Sequence, residues 1–239
     1  MNRAIYAAAT GMAAQQRMLD VIANDLANAD VPGFKASIVR FGSIGDAGVL
    51  GTAERAVLPV FTQGKLERSG GPFDLAINGT GFFKVERDGE RAYTRAGSFE
   101  RVADGSVENA DGWRLVGVRI SADATAVRVG SDGRVTIDAP DVKNVKTGFI
   151  HVAVFDAPER LRRIGSALFA ATRDSGPARA ARAGGDREPT IAFGMLERAN
   201  VSIVEAMMQI LAAQRAYEAN AKGVQAADEM VRIANNLHR

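Results

Sequence analysis

The sequence predicts an α+β chain in which helices at the two termini form a coiled-coil-like core element around a central antiparallel β domain. Two apolar stripes carry the helical part. One runs Ile5, Ala8, Met12, Gln15, Leu19, Ile22, Leu26; the other runs Ile203, Met207, Ile210, Gln214, Tyr217, Ala221, Val224, Val231. Steps that alternate between three and four residues make the narrow seam of a coiled coil. The β part rests on a third observation. Between the stripes, short runs of strand composition alternate with Asn-Gly and Asp-Gly turn signals.

The first helix starts near Asn2 and ends by Ala29, because Pro32 disfavours helical backbone at its predecessor and Gly33 helps the chain turn. Residues 1–36 are thus the first part of the core element. Residues 37–73 read as an extended, flexible linker with short strands. Gly42, Gly45, Gly48 and Gly51 follow closely there, residues 57–61 suit a strand, and Gln63-Gly64 suits a turn. Residues 74–193 form the β-rich domain. Asp74-Leu75-Ala76-Ile77 and Gly81-Phe82-Phe83-Lys84-Val85 flank Asn78-Gly79, which predicts a hairpin. Asp88-Gly89, Asp104-Gly105, Asp111-Gly112 and Asp132-Gly133 space out further runs at 92–94, 98–102, 113–116, 126–129 and 135–137, and 150–155 closes the series. Many short strands with close turns indicate a sandwich or barrel-like domain. The rhythm fades after 156, and residues 173–190, rich in Ala, Arg, Gly and Pro, read as a flexible exposed loop. Gly194 opens the second part of the core element, 194–239. Asn200 or Ser202 is the candidate N-cap there, and Glu205 three residues after Ser202 gives a capping-box pattern.

Composition excludes several function classes. The chain has no Cys, which removes disulfides, thiolate metal sites and Cys nucleophiles together. A formal charge of +2 makes no strong field for an acidic partner. Arg3 followed by an Ala-rich run has a faint likeness to a secretion signal. Thr10, Gly11, Gln15 and Gln16 interrupt it, however, and the helical stripe continues to Leu26, so a mature amphipathic helix is the better reading. No stretch approaches the roughly 20 apolar residues of a membrane span.

Candidate chemistry is sparse. The histidines, His151 and His238, have no neighbour at metal-ligand spacing. Gly79-Thr80-Gly81 lacks the third Gly of a phosphate loop and leads into Phe82-Phe83 rather than a helix. The Asp-Gly pairs lack the alternating carboxylates and distal Glu of a calcium loop. Glu205 and Glu218 read as solvated or intersubunit charge rather than an acid–base pair. Arg160, Arg162, Arg163, Arg173, Arg179 and Arg182 are interspersed with Asp156, Glu159, Asp174, Asp186 and Glu188 and have no aromatic platform, so a solvated loop outweighs a nucleic-acid surface. No catalytic, metal or cofactor site is expected. The terminal stripes either pack on each other within one chain or seek neighbours. Their Ala, Met and Gln content buries little area per residue, which favours neighbours.

Several blocks resemble the flagellar rod–hook–filament axial family, in particular its basal-body rod proteins. Ala23-Asn24-Asp25-Leu26-Ala27-Asn28, continuing to Pro32-Gly33-Phe34-Lys35, resembles the family's N-terminal signature, with Asp25 where a second Asn is usual. Asp74, Gly79, Gly81, Phe82 and Phe83 sit in a block similar to the opening of the family's β domain, and Tyr93, Thr94 and Arg95 open another. Glu197, Asn200 and Val201, then Gln214, Arg215, Tyr217 and Glu218, resemble the C-terminal signature. The blocks span the chain in the family's order.

The resemblance implies a non-enzymatic subunit, exported by the flagellar type III apparatus without a cleaved signal. It would polymerise with copies of itself and other rod proteins into the periplasmic rod that carries torque. Neither cofactor, nucleic acid, small-molecule substrate nor membrane insertion is implied. The short segment after the first helix favours the proximal rod subunit over its distal paralogue. The expected subunit interface is the seam of Ile5, Met12, Leu19, Ile22 and Leu26 with Ile203, Ile210, Leu211, Tyr217 and Val224. A β-rich binding module or adhesin on a helical stalk is the rival of another class.

Overall fold

Helix α1 covers Arg3–Ala27 and helix α2 covers Ile203–Leu237 of a computed structural model that describes residues 3–45, 51–140, 145–181, 183–184 and 188–237. The expectations attached to Asn2, Gly48, Arg182, Asp186 and His238 lie outside the described residues. The residues form two compact units: α1, residues 37–58 and α2 in one, residues 28–36 and 59–200 in the other.

In the first unit α1 and α2 pack along each other. Ala14, Val21, Ile22 and Asp25 of α1 are buried, and Ile5, Met12, Leu19 and Leu26 are half-buried beside them. The inner face of α2 differs from the expected stripe. Its buried residues are Ala206, Ala213 and Ala227, with Ile210, Asn220 and Val224 half-buried between them, whereas Ile203, Leu211 and Tyr217 are exposed. A row of small side chains permits a closer backbone approach than the bulky row next to it. On α1, Gly11 leaves room for the Asn220 side chain, since a Cβ there would lie 3.0 Å from Asn220 Nδ2. Ser202 caps α2 by accepting the Glu205 backbone N–H at 3.3 Å.

Strands β1 (Ser37–Ile44) and β2 (Gly51–Pro59) pair in a two-stranded sheet. The stretch read as a connection is thus seated on α1. Thr10 Oγ1 accepts the Thr52 N–H at 3.2 Å, Arg17 pairs with Glu54 at 2.5 Å, and Asp25 Oδ2 accepts the Ser37 N–H at 2.8 Å.

The second unit is the antiparallel β region. Its strands are β3 (Leu66–Arg68), β4 (Leu75–Asn78), β5 (Phe82–Arg87), β6 (Glu90–Thr94), β7 (Glu100–Arg101), β8 (Val107–Glu108), β9 (Arg114–Leu115), β10 (Ala126–Val129), β11 (Arg134–Asp138) and β12 (Val145–Phe149). They continue with β13 (Val152–Val154), β14 (Arg162–Arg163), β15 (Leu168–Ala170), β16 (Arg179–Ala181), β17 (Thr190–Phe193) and β18 (Met195–Glu197). The main sheet runs β14-β15-β6-β5-β9-β8-β7, with β13 joining β5 to β16; β10-β11-β12 form a second sheet, and β17-β4 and β18-β3 form pairs. Strand β5 organises the packing, because successive side chains point to opposite faces. Phe83 and Val85 enter a core with Leu75, Ile77, Trp113, Leu115 and Ile150, whereas Phe82 enters another with Tyr93, Phe155 and Phe169. Edge-to-face contacts fix the second core, Phe61 on Phe82 at 4.9 Å and Tyr93 on Phe155 at 4.8 Å.

Two expectations are corrected here. Asp88-Gly89 does close a hairpin between β5 and β6, with both φ angles positive (52° and 81°), as a type I′ turn requires. Asn78-Gly79 does not close one, because β4 pairs with β17 rather than with β5. Gly79 and Gly81, at φ +106° and +129°, instead carry the chain from one sheet to another. The segment read as an exposed loop contains β16, whose Arg179–Ala181 pair with β13; its partner strand lies elsewhere in the sequence and leaves no local signal.

Candidate functional site

The second unit contains a buried ionic joint, built from segments far apart in the chain. After α1, the turn at Val31-Pro32-Gly33 is closed by Phe34 N–H donating to Val31 O at 3.2 Å. Gly33 has φ +68° and lies flat on the Arg95-Ala96 backbone, where any Cβ would collide. Its N–H donates to the Glu197 carbonyl at 2.7 Å. This turn delivers Phe34 and Lys35 into the interior, at 1% and 0% exposure. Arg163 stacks over both Phe34 and Phe169, and donates to the Lys35 carbonyl at 2.5 Å.

Glu197, at the end of β18, is the centre. Lys35 Nζ donates to Glu197 Oε1 at 2.6 Å and to the Thr62 carbonyl at 2.7 Å, and the Gly64 N–H donates to the same Oε1 at 2.8 Å. Arg95 Nη1 lies 3.3 Å from Glu197 Oε2. The guanidinium also donates to the Ile77 carbonyl at 3.0 Å and the Gly79 carbonyl at 2.5 Å. These two carbonyls flank Asn78 at the end of β4, which explains why the Asn-Gly step turns without a hairpin partner. Asn200 adds a neutral clasp: its Oδ1 accepts the Ala36 N–H at 2.7 Å, and its Nδ2 donates to the Val60 carbonyl and Thr62 Oγ1, both at 2.8 Å. The segment leaving α1 and the segment entering α2 are therefore tied to each other within this unit.

Two cations share one carboxylate at essentially no exposure. Burial pushes the Lys35 pKa below its ordinary value, Glu197 opposes that shift, and the Arg95 charge adds to it. Arg95 is lowered by burial in the same way and supported by Glu197. A fully enclosed amine has no route to a substrate, so the joint serves structure. Among the described residues no group of three or more His, Cys, Asp and Glu could hold a metal ion, and His151 is exposed, its ring 4.9 Å from that of Phe149 and tilted 42° to it.

The blocks singled out in the sequence converge here. Gly33, Phe34, Gly79, Arg95, Glu197 and Asn200 all belong to the joint, whereas Gln214, Arg215, Tyr217 and Glu218 lie exposed on α2. Asp74 is separate, accepting the Ser69 hydroxyl and the Gly71 N–H. Sequence reasoning missed the ionic roles of Lys35, Arg95 and Glu197. The available signal was that each of the three charges falls inside one of the blocks already singled out.

Three family models match the chain. The flagella basal body rod protein model matches residues 5–35, the flagellar hook protein FlgE/F/G D1 domain matches 76–137, and the flagellar basal body rod FlgEFG protein C-terminal model matches 193–237. Lys35, Arg95 and Glu197 come one from each matched segment. Over its whole length the chain is 34% identical to the flagellar basal-body rod protein FlgG of Borreliella burgdorferi and 31% identical to that of Bacillus subtilis, with all of each relative covered. It is 32% identical to FlgF of Caulobacter vibrioides, covering 98% of this chain and 97% of the relative. The chain thus belongs to the flagellar basal-body rod proteins of the rod and hook family.

Proposed function

We propose that this rod subunit polymerises through its terminal helices into the helical drive shaft, with the outward face of α2 as a principal contact. The observation that carries the reading is the exposure of Ile203, Val204, Met207, Met208 and Leu211 on one end of α2, the last three at 55%, 59% and 55%. Fully burying such a side chain is worth about 1.5–3 kcal/mol. A neighbour covering this face thus gains what the alanine seam inside the subunit does not supply. Of the seam proposed for assembly, Ile203, Leu211 and Tyr217 are accessible for it in the subunit. Ile5, Met12, Leu19, Ile22, Leu26, Ile210 and Val224 are wholly or partly taken up within the subunit.

In this reading the subunit acts without catalysis or cofactor, sits in the periplasmic part of the basal body, and is exported by the flagellar type III apparatus without a cleaved signal. No helix among the described residues is long and apolar enough to cross a membrane. The brevity of residues 37–73 supports a proximal place in the rod. Head-to-tail contacts that do not close give an open helical polymer. The test is Leu211→Asp expressed in place of the wild type. Basal bodies seen by electron microscopy should stop at the rod stage and swimming should cease; complete rods and normal swimming would refute the reading.

A further inference from the structure

An Asn-Gly step carries its own reactive pair. The glycine nitrogen, once deprotonated, attacks the asparagine Cγ; a C–N bond forms, ammonia leaves, and water opens the succinimide ring to aspartate or isoaspartate. Glycine hinders this least, having no Cβ. Asn78-Gly79 is such a step, with Asn78 exposed at the end of β4. We infer that Asn78 is a latent deamidation site that Gln63 holds shut in the folded chain.

The Gln63 side-chain amide engages both reacting residues. Its Oε1 accepts the Gly79 N–H at 2.9 Å, and its Nε2 donates to Asn78 Oδ1 at 3.2 Å. Ring closure requires the Asn78-Gly79 peptide to swing so that its nitrogen meets Cγ. Four other restraints oppose the swing. Arg95 holds the Ile77 and Gly79 carbonyls on either side, Thr190 of β17 pairs with Asn78, and Pro189 lies close against Gly79. The bond to Oδ1 polarises Cγ toward attack, but the attacking nitrogen must first break its 2.9 Å bond to Gln63, so restraint governs the rate. Isoaspartate would insert a methylene into the main chain and draw the Gly79 carbonyl from Arg95. Damage at Asn78 therefore loosens the ionic joint.

The test ages the full-length subunit at mildly alkaline pH and follows conversion at Asn78 by peptide mass spectrometry. Its arms are the wild type, Gln63→Ala, Gln63→Met and the wild type unfolded in urea. Gln63 is exposed, so both variants leave the core intact, and circular dichroism confirms their fold. Conversion should be slow in the folded wild type, fast in urea, and at least about fivefold faster in each folded variant than in the wild type, the factor set by one net hydrogen bond. Should Gln63→Ala lose its fold, Gln63→Met, of similar length, carries the comparison. Equal rates in folded and urea-unfolded wild type overturn the inference. So does a folded variant no faster than wild type, and slower conversion would mean that polarisation of Oδ1 governs instead.

Discussion

The β unit buries charge, and helix α2 exposes apolar bulk; each departs from the usual partition in the opposite direction. Inside the β unit, Lys35 and Arg95 offset the charge of Glu197 and donate to nearby carbonyls, although Arg95 Nε and Glu197 Oε2 carry no hydrogen bond, so the charge is balanced within one subunit. On α2, Met207, Met208 and Leu211 are each more than half exposed. In the proposed reading the first region is finished by folding and the second by association. Substitutions should therefore act on stability in one and on assembly in the other.

The largest stability effect should come from Glu197→Ala. It leaves two cations buried without their anion, for a loss of about 3–5 kcal/mol. Trp113, the single Trp and a buried member of the β core, reports urea unfolding by fluorescence. A loss below about 1 kcal/mol would break the comparison, since the joint would then contribute like a surface pair. Gly33→Ala should follow. It combines φ +68° with a collision on the Ala96 backbone, for a loss of about 1–3 kcal/mol in the same measurement.

The third effect is a pH slope. The folded Lys35 pKa lies below its unfolded value of 10.5. Between the two, the unfolded chain binds the extra proton, so raising the pH adds stability across that window. Above about 10, Tyr93 opposes this, because burial raises its pKa and the folded state then holds its proton longer. Lys35→Met leaves the Arg95–Glu197 pair and should flatten the rise below about pH 10, as measured by urea midpoints. An unchanged slope would place its origin elsewhere. The smallest effect sharpens the contrast: Leu211→Asp should change the stability of the isolated subunit by no more than about 0.5 kcal/mol. A larger loss would mean that this face is already covered within the subunit.

The sequence made α1, α2 and most strands legible, because helical stripes and Asp-Gly turns are local signals. Ser202 as the cap of α2 was likewise readable from Glu205 three residues on. Partner choice was not. Asn78-Gly79 has hairpin composition, yet β4 pairs with β17, and Arg95 takes the carbonyls beside it. Strands β14 to β16 are two or three residues long and too short for periodicity to register. The ionic joint was hidden because Lys35 and Glu197 lie 162 positions apart. On α2 the stripe was visible, but not which of two adjacent rows turns inward. That choice depends on which side chains fit between the helices, as the Asn220 amide does against Gly11 here.

The absence of cysteine makes the central claim directly measurable. In a chain carrying Leu211→Cys as its sole thiol, maleimide labelling reads the exposure of the outer α2 face. The thiol should label rapidly in the free subunit and resist labelling in isolated basal bodies. Equal labelling in both states would contradict the assignment of this face to rod assembly.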